Sequence, residues 1–298
     1  MTRKHTSHRK PRKPFPWLAT SSILLILLIL TGIFLFFNNF VSQETNKKNV
    51  ITTRKISKKK SKITKRVSWI KQKEPVKIPI LMYHAVHVMD PSEAASANLI
   101  VAPDTFESHI KRLKKEGYYF LSPEEAYRTL NENALPAKKV IWITFDDGNA
   151  DFYTKAYPIL KKYKVKATNN IITGFVQEGR ESNLNVQQML EMKQNGMSFQ
   201  GHTVTHPNLS LLTPELQTQE MTLSKQYLDQ QLSQQTISIA YPYGRYNPTT
   251  LDIASQYYKL GLTTNEGVAT KDNGLLSLNR VRILPTTSDD DLIKTINQ

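Results

Sequence analysis

Residues 140–148 read VIWITFDDG: six apolar or β-prone residues lead into Asp146, Asp147 and a glycine. A short apolar run bounded by turn residues is typical of a buried strand. In parallel α/β folds, catalytic groups collect at the carboxyl ends of such strands. The segment therefore predicts a buried strand with functional carboxylates at its end, although Asp-Asp-Gly is also a common turn sequence.

From residue 78 onward, strand and helix signals alternate. Capped helix starts are predicted at Ser122-Pro123-Glu124-Glu125 and at Thr213-Pro214-Glu215. A third helix, with a cap at each end, is predicted over residues 185–196. Further apolar runs lie at Ile78–Tyr83, Val165–Ile172, Thr236–Tyr241 and Arg280–Leu284. Repeated β-then-α units over residues 78–298 predict one α/β domain with a mainly parallel sheet, either open or closed into a barrel.

Two more polar segments follow predicted strands. Residues 201–207 read GHTVTHP, in which His202 and His206 are four apart; if this is a helical turn, both imidazoles lie on one face and can hold one metal. Together with a carboxylate they form a two-histidine, one-carboxylate site. Residues 239–246 read IAYPYGRY, which is either a rigid turn or a loop that presents a backbone N–H and aromatic faces to a sugar.

In this order, TFDDG at 144–148, HTVTHP at 202–207 and YPYG at 241–244 closely resemble the polysaccharide deacetylases of carbohydrate esterase family four. The resemblance covers residues 78–297. It implies a distorted (β/α) barrel of about seven β/α units. It also implies metal-dependent hydrolysis of acetyl groups from chitin-like glycans, peptidoglycan or xylan.

The resemblance also assigns roles to individual residues. It implies that Asp147, His202 and His206 bind a divalent ion, expected to be zinc, and that Asp146 is the general base. The backbone N–H of Tyr243 would hold the oxyanion. The tyrosines expected to contact the sugar are Tyr241, Tyr243 and Tyr246.

The chain departs from the family pattern at two places. The arginine that usually precedes the Pro-Tyr-Gly core is absent, so we expect Arg280 or Arg282 to support the base instead. No histidine follows His206, so the usual donor to the leaving amine is also absent. The PILMYHAV opening at 79–86 resembles deacetylases of biofilm poly-N-acetylglucosamine, which implies that His84 is the acid; the alternative is a partly buried strand-end histidine. His109 is expected on a surface helix without a role.

These residues predict an enzyme that removes N-acetyl groups from N-acetylglucosamine units of an extracellular polysaccharide, either poly-N-acetylglucosamine or peptidoglycan. Two alternatives stay open: an O-acetyl esterase acting on a glycan such as xylan, and a non-catalytic wall-binding module. The chain contains no cysteine, which excludes disulfides and thiolate metal sites.

The net charge of +15 belongs to the N-terminal quarter of the chain. Residues 1–77 hold 19 Lys and Arg residues and two acidic residues, whereas residues 78–298 hold 21 basic and 23 acidic residues. The predicted domain is therefore nearly neutral, which disfavours a nucleic-acid groove.

Residues 17–37 carry no charge and are long enough to span a membrane as a helix. Because the sequence after them is a poor cleavage site, we expect an anchor rather than a signal peptide. The basic residues in 1–16 predict a cytoplasmic N-terminus, with the catalytic domain outside the cell. Residues 38–77 are expected to be a basic linker that either attracts anionic envelope polymers or lipids or serves only as a spacer.

Overall fold

The structure, a computed structural model, describes residues 67–298, in which seven parallel strands close into a barrel. Each strand pairs with the next along the chain, and the first pairs with both the second and the seventh. The predicted (β/α) barrel is thereby confirmed. The strands are β1 (Ile80–Tyr83), β2 (Val140–Phe145), β3 (Ala167–Ile171), β4 (Met197–Gly201), β5 (Ser238–Ala240), β6 (Leu260–Glu266) and β7 (Leu278–Arg282).

Helices return the chain between strands, and the predicted start signals operate as expected. Ser122 and Glu125 form a reciprocal capping box, the Thr213 hydroxyl accepts the Leu216 N–H, and Asn185 caps its helix through Gln188. The α-helices are α1 (Pro103–Lys115), α2 (Pro123–Glu132), α3 (Tyr157–Tyr163), α4 (Thr173–Gln177), α5 (Val186–Lys193), α6 (Pro214–Leu232), α7 (Pro248–Tyr257) and α8 (Asp289–Ile296).

Shorter elements complete the domain. Strand Tyr119–Phe120 pairs with β2, and Ala85–Val86 pairs with Ile100–Val101. A π-helical turn at Phe152–Ala156 leads into α3. The 3₁₀ turns are Pro91–Leu99, Leu209–Leu211, Pro242–Gly244 and Lys271–Asn273.

The alternation of side chains along the strands separates two apolar layers. Ile141 and Phe145 of β2 pack with Phe106 of α1 in the layer between barrel and helices, while Trp142 belongs to a different cluster. All six residues of β2 are buried, as expected for a strand covered on both faces. The same alternation directs Thr144 and Arg280 into the barrel, where they are hydrogen-bonded.

Two short strands include residues that precede position 78, where the catalytic domain was predicted to start. Strand Ile70–Lys71 pairs with Ala134–Leu135, and Lys77–Ile78 pairs with Ala269–Thr270. The end of the segment predicted as a linker therefore belongs to the domain, because its backbone completes two small sheets. Among residues 67–298 no helix has the length and apolar content needed to cross a membrane. The predicted tail (1–16), the span (17–37) and most of the linker lie outside the described residues.

Candidate active site

Polar side chains gather at the carboxyl edge of the barrel, where five strands contribute to one site. Asp146 and Asp147 follow β2, His84 follows β1, and His202 follows β4. The 3₁₀ turn Pro242–Gly244 comes after β5, and Arg280 reaches in from β7. The parallel topology therefore brings together residues that are far apart in sequence, as the strand-end argument predicted.

Asp147, His202 and His206 lie close enough to hold one metal ion. Their candidate donor atoms are all within 4.8 Å of one another. Asp147 Oδ1 is 3.4 Å from His202 Nε2 and 3.6 Å from His206 Nε2. His202 Nδ1 is 2.7 Å from the Ala240 carbonyl, a contact that places a proton on Nδ1 and leaves Nε2 free as a ligand. Two imidazoles and one carboxylate suit a catalytic zinc site with open positions.

The two histidines do not share a helical turn, so that part of the sequence interpretation was wrong. Residues 202–206 form a loop in which Thr203 and His206 have φ values of 66° and 61°. The Thr203 hydroxyl accepts the His206 N–H at 3.1 Å, which closes the loop. The imidazoles converge because of this left-handed backbone and not because of helical periodicity.

Left-handed backbone is concentrated at the site. Seven non-glycine residues among those described have positive φ, and four of them are Asp147, Thr203, His206 and Tyr243. The other three, Asn133, Lys164 and Ser233, end helices, where this conformation is ordinary. Positive φ outside helix ends is unfavourable for residues with a Cβ and clusters at functional sites.

The electrostatics of two of the three candidate ligands favour metal binding at neutral pH. At the third, His202, burial lowers the pKa of the imidazole, but the Asp147 and Asp146 carboxylates raise it overall. Burial, followed by the neighbouring His202, lowers the pKa of His206 to about 4, so its imidazole is neutral. Burial opposes ionisation of Asp147, but His202 and His84 hold the pKa of its carboxyl below the usual value. A neutral imidazole and an ionised carboxylate are the forms that coordinate a metal.

Asp146 is fully enclosed and is held by three donors. It is 2 % exposed, and the Arg280 guanidinium donates to both oxygens, Nη1 to Oδ1 at 2.9 Å and Nη2 to Oδ2 at 2.7 Å. Asn170 Nδ2 donates to Oδ1 at 2.7 Å. Burial alone would raise the pKa of Asp146, but Arg280 and His202 lower it well below the usual value. Of the two arginines considered as support for the base, Arg280 therefore bonds to Asp146, whereas Arg282 lies 3.6 Å from Glu266.

His84 lies beside these carboxylates. With Asp147 it lines a cavity of about 350 Å³ that also contacts His87 and Asp151. Burial lowers the pKa of His84, and the nearby charges of Asp146 and Asp147 oppose that shift. A lowered pKa makes an imidazolium a stronger proton donor but reduces the protonated fraction at neutral pH.

The Pro242–Gly244 turn meets the site through Tyr243. Tyr243 is 62 % exposed, and its ring lies 4.5 Å from the His206 ring, centroid to centroid. Tyr243 has φ 56°, and no hydrogen bond within residues 67–298 uses its backbone N–H. The turn depends on Gly244, because a Cβ there would overlap Thr264. Among the described residues, the Tyr243 amide therefore has no hydrogen-bond acceptor.

Two of the three tyrosines expected to contact sugar have other environments. The expectation for Tyr241 is wrong: its ring is completely buried and its hydroxyl donates to the Leu276 carbonyl at 2.9 Å. Tyr246 is half-buried and packs against Tyr241 at a ring distance of 5.3 Å. The sequence indicated an aromatic loop, but it did not indicate which of the tyrosine rings would be buried against the core.

Sequence reasoning missed three features near the site. Asn170 gave no signal, because an asparagine within a strand has no distinctive spacing. His87 lies between Asp151 Oδ2 at 2.7 Å and the Glu93 carboxylate at 3.1 Å. His109 is buried and not on the surface, with Nδ1 2.9 Å from the hydroxyl of the tyrosine that precedes His84.

Known proteins are similar to this chain in sequence. The sequence profile of a family described as polysaccharide deacetylase matches residues 133–262. The Bacillus subtilis protein YxkH (strain 168) is 43 % identical over 222 residues, covering 74 % of this chain and 76 % of its own. The poly-β-1,6-N-acetyl-D-glucosamine N-deacetylase of Staphylococcus aureus is 34 % identical over 206 residues, covering 65 % and 69 % of the two chains.

Solved structures are also similar to this chain, both in fold and in sequence. The Streptococcus pyogenes deacetylase PplD, solved in complex with acetate, has a TM-score of 0.73 and 64 % identity over 75 % of this chain and 99 % of its own. IcaB from Ammonifex degensii has a TM-score of 0.66 and 25 % identity over 74 % and 97 % of the two chains. From the barrel, the clustered motifs and these relatives, we conclude that the chain belongs to the polysaccharide deacetylase family and is an N-deacetylating hydrolase.

Proposed function

We propose that this enzyme hydrolyses the N-acetyl groups of N-acetylglucosamine units in an extracellular polysaccharide. One observation carries the proposal: at one edge of the barrel, three candidate metal ligands lie beside a buried ion pair. The ligands are Asp147, His202 and His206, and the pair is Asp146–Arg280. Hydrolysis of an unactivated amide requires an electrophile, a base and an acid. The arrangement offers a candidate for each role.

Asp147, His202 and His206 are the proposed metal ligands, with zinc as the expected ion. When bound, the ion would polarise the amide carbonyl and acidify water at the same place. The protein's own contribution is to hold the ligands: the Ala240 carbonyl orients His202, and the Thr203 hydroxyl orients the backbone at His206.

Asp146 is the proposed general base. Its Oδ1 accepts from Arg280 and Asn170, whereas Oδ2 accepts only from Arg280 among the described residues. Oδ2 therefore keeps a lone pair for the proton of the attacking water. Arg280 fixes the plane of the carboxylate, since its two parallel hydrogen bonds define one orientation.

His84 and Tyr243 complete the proposed mechanism. The backbone N–H of Tyr243 donates to the oxygen that becomes negative as water adds to the carbonyl carbon. His84 then gives a proton to the nitrogen as the carbon–nitrogen bond breaks. The products are acetate and a glucosamine amine. Of Tyr241, Tyr243 and Tyr246, only Tyr243 is largely exposed, so it is the tyrosine that we propose to contact the sugar.

The relatives support an amide of N-acetylglucosamine as the substrate. The S. aureus relative is named for β-1,6-linked poly-N-acetylglucosamine, and PplD was solved with acetate, which this reaction would release. Peptidoglycan is the second candidate polymer, because a basic stalk on a membrane anchor would place the domain near the wall. The proposed stalk and anchor are residues 38–77 and 17–37.

Acetate release distinguishes these substrates. The full-length chain would be incubated with β-1,6- and β-1,4-linked N-acetylglucosamine oligomers, with peptidoglycan and with acetylated xylan. The proposal expects acetate from one or more of the N-acetylated glycans. Release from xylan alone would identify an O-acetyl esterase, and binding without release from any glycan would identify a wall-binding module.

We also propose that residues 17–37 anchor the enzyme in the cell membrane with the catalytic domain outside. Anionic envelope polymers or lipids would attract the basic linker. Cell fractionation should find the full-length chain in membranes, with its C-terminal domain open to external protease once any wall is removed. A mature protein in the medium that starts near residue 40 would instead identify a signal peptide.

A further inference from the structure

Glu220, on helix α6, is hydrogen-bonded to the loop that carries the two proposed metal-binding histidines. Its Oε2 accepts the backbone N–H of Val204 at 2.8 Å and that of Thr205 at 2.9 Å. Its Oε1 accepts the Thr205 hydroxyl at 2.6 Å. One carboxylate thereby satisfies both backbone donors at the centre of the loop between His202 and His206.

The carbonyl side of the same loop is held by helix α4. The Thr173 N–H donates to the Thr203 carbonyl at 3.1 Å, and the Gly174 N–H donates to the Val204 carbonyl at 2.8 Å. A Cβ at Gly174 would lie 2.6 Å from the Val204 carbonyl oxygen, so only glycine permits this approach. Helix α6 therefore holds N–H groups of the loop, and helix α4 holds its carbonyl groups.

This loop needs external support because its backbone is unfavourable in isolation. Thr203 and His206 both have positive φ, a conformation that disfavours residues with a Cβ. The loop must nonetheless keep His206 Nε2 3.6 Å from Asp147 Oδ1. Contacts that satisfy the loop's own amides offset the cost of holding this geometry.

We propose that Glu220 is a positioning residue for the metal centre: it holds the 203–205 backbone so that His206 stays aligned with His202 and Asp147. The inference rests on the proposed metal site and adds a residue that touches neither metal nor substrate. Outer partners of metal ligands typically contribute about 10–100-fold to metal affinity. Because Thr205 is exposed to solvent, we expect the lower end of that range.

Zinc affinity of the full-length chain tests the inference without relying on activity. Zn²⁺ would be titrated against a competing chelator at 25 °C for the wild type and three variants. Glu220→Ala should weaken zinc binding about tenfold. Glu220→Gln should stay within about threefold of wild type, because its amide oxygen can accept both backbone N–H groups and its NH₂ group can donate to the Thr205 hydroxyl oxygen, all without the charge. Gln219→Ala, an exposed neighbour on α6, is the matched control and should bind as wild type.

The outcomes separate positioning from general stability and from failure of the metal site. A lower Tm of the metal-free Glu220→Ala protein with unchanged zinc affinity would overturn the inference, as would equal losses in the Ala and Gln variants. If the Ala variant does not fold, Glu220→Asp replaces it, since its carboxylate is one methylene too short; unchanged affinity there would also overturn the inference. A wild-type chain that binds no zinc would refute the metal site itself.

Discussion

Replacing Arg280 by methionine should destabilise the protein strongly, because it leaves the Asp146 carboxylate buried without its main countercharge. Both side chains are almost fully enclosed, at 0 % and 3 % exposed. Removing one partner of a buried pair costs about 3–5 kcal/mol. For a domain of this size each kcal/mol lowers Tm by about 2–4 °C, so the expected loss is about 6–20 °C.

A double-mutant cycle assigns that cost to the ion pair. The variant carrying both Arg280→Met and Asp146→Asn has no buried charge left unpaired, and Asn170 can still bond to the new amide. It should be more stable than Arg280→Met alone by about 1–3 kcal/mol. Urea unfolding followed by circular dichroism, with metal removed by chelation, would measure all four corners of the cycle.

Arg282→Met provides the matched control on the same strand. Arg282 lies 3.6 Å from Glu266 in a pair whose side chains are 32 % and 61 % exposed, so its loss should change stability by less than about 0.5 kcal/mol. The reasoning is refuted if Arg280→Met unfolds like the control, or if the two substitutions at 280 and 146 are additive. Either result would mean that Asp146 does not depend on Arg280 for its charge.

Two further predictions concern histidines. His84→Ala should lose most turnover on an N-acetylglucosamine oligomer but much less on an aryl acetate, whose leaving group needs little protonation; equal losses would argue for a structural role. Although burial opposes it, the hydrogen bonds that the His87 ring donates to the Asp151 and Glu93 carboxylates raise the pKa of His87 above its usual value. The stability that protonated His87 contributes is therefore fully present below about pH 6.5 and is lost as the pH rises through its pKa in the folded protein. Urea unfolding should show the wild type losing stability relative to His87→Gln between pH 6 and 9. A difference between the two proteins that stays constant over this range would contradict the prediction.

Strong local signals made most of the barrel predictable from the sequence. The apolar run at 140–145 and the capping box at Ser122 depend on neighbouring residues, and both appear as expected. Strand β6 was missed, and the strand expected before residue 201, which is β4, had no predicted bounds, because both strands mix apolar with polar residues. Gln200 in β4 is buried only because its side chain accepts the Ile237 and Ser238 amides, a tertiary contact that no local pattern reveals.

The residues that hold the motif side chains in place were harder to predict from the sequence than the motif residues themselves. Motif residues such as Asp146 could be named, but Asn170 reaches Asp146 only because β3 lies beside β2. Tyr241 was misjudged because its burial depends on how the loop folds over the core. His109 did carry a signal, since it lies on the same helical face as Phe106 and Leu113, three and four residues away, and both are buried.

The metal requirement of the Asp147, His202 and His206 site is the central claim, and metal replacement tests it most directly. The full-length chain would be stripped with a chelator, then titrated with Zn²⁺ while acetate release from a β-1,6 N-acetylglucosamine oligomer is followed. We expect activity to vanish on stripping and to return fully at one ion per chain. His206→Ala should neither retain the ion nor recover, because three protein ligands leave none to spare. A His206→Ala protein with one ion per chain and wild-type turnover would contradict the assignment.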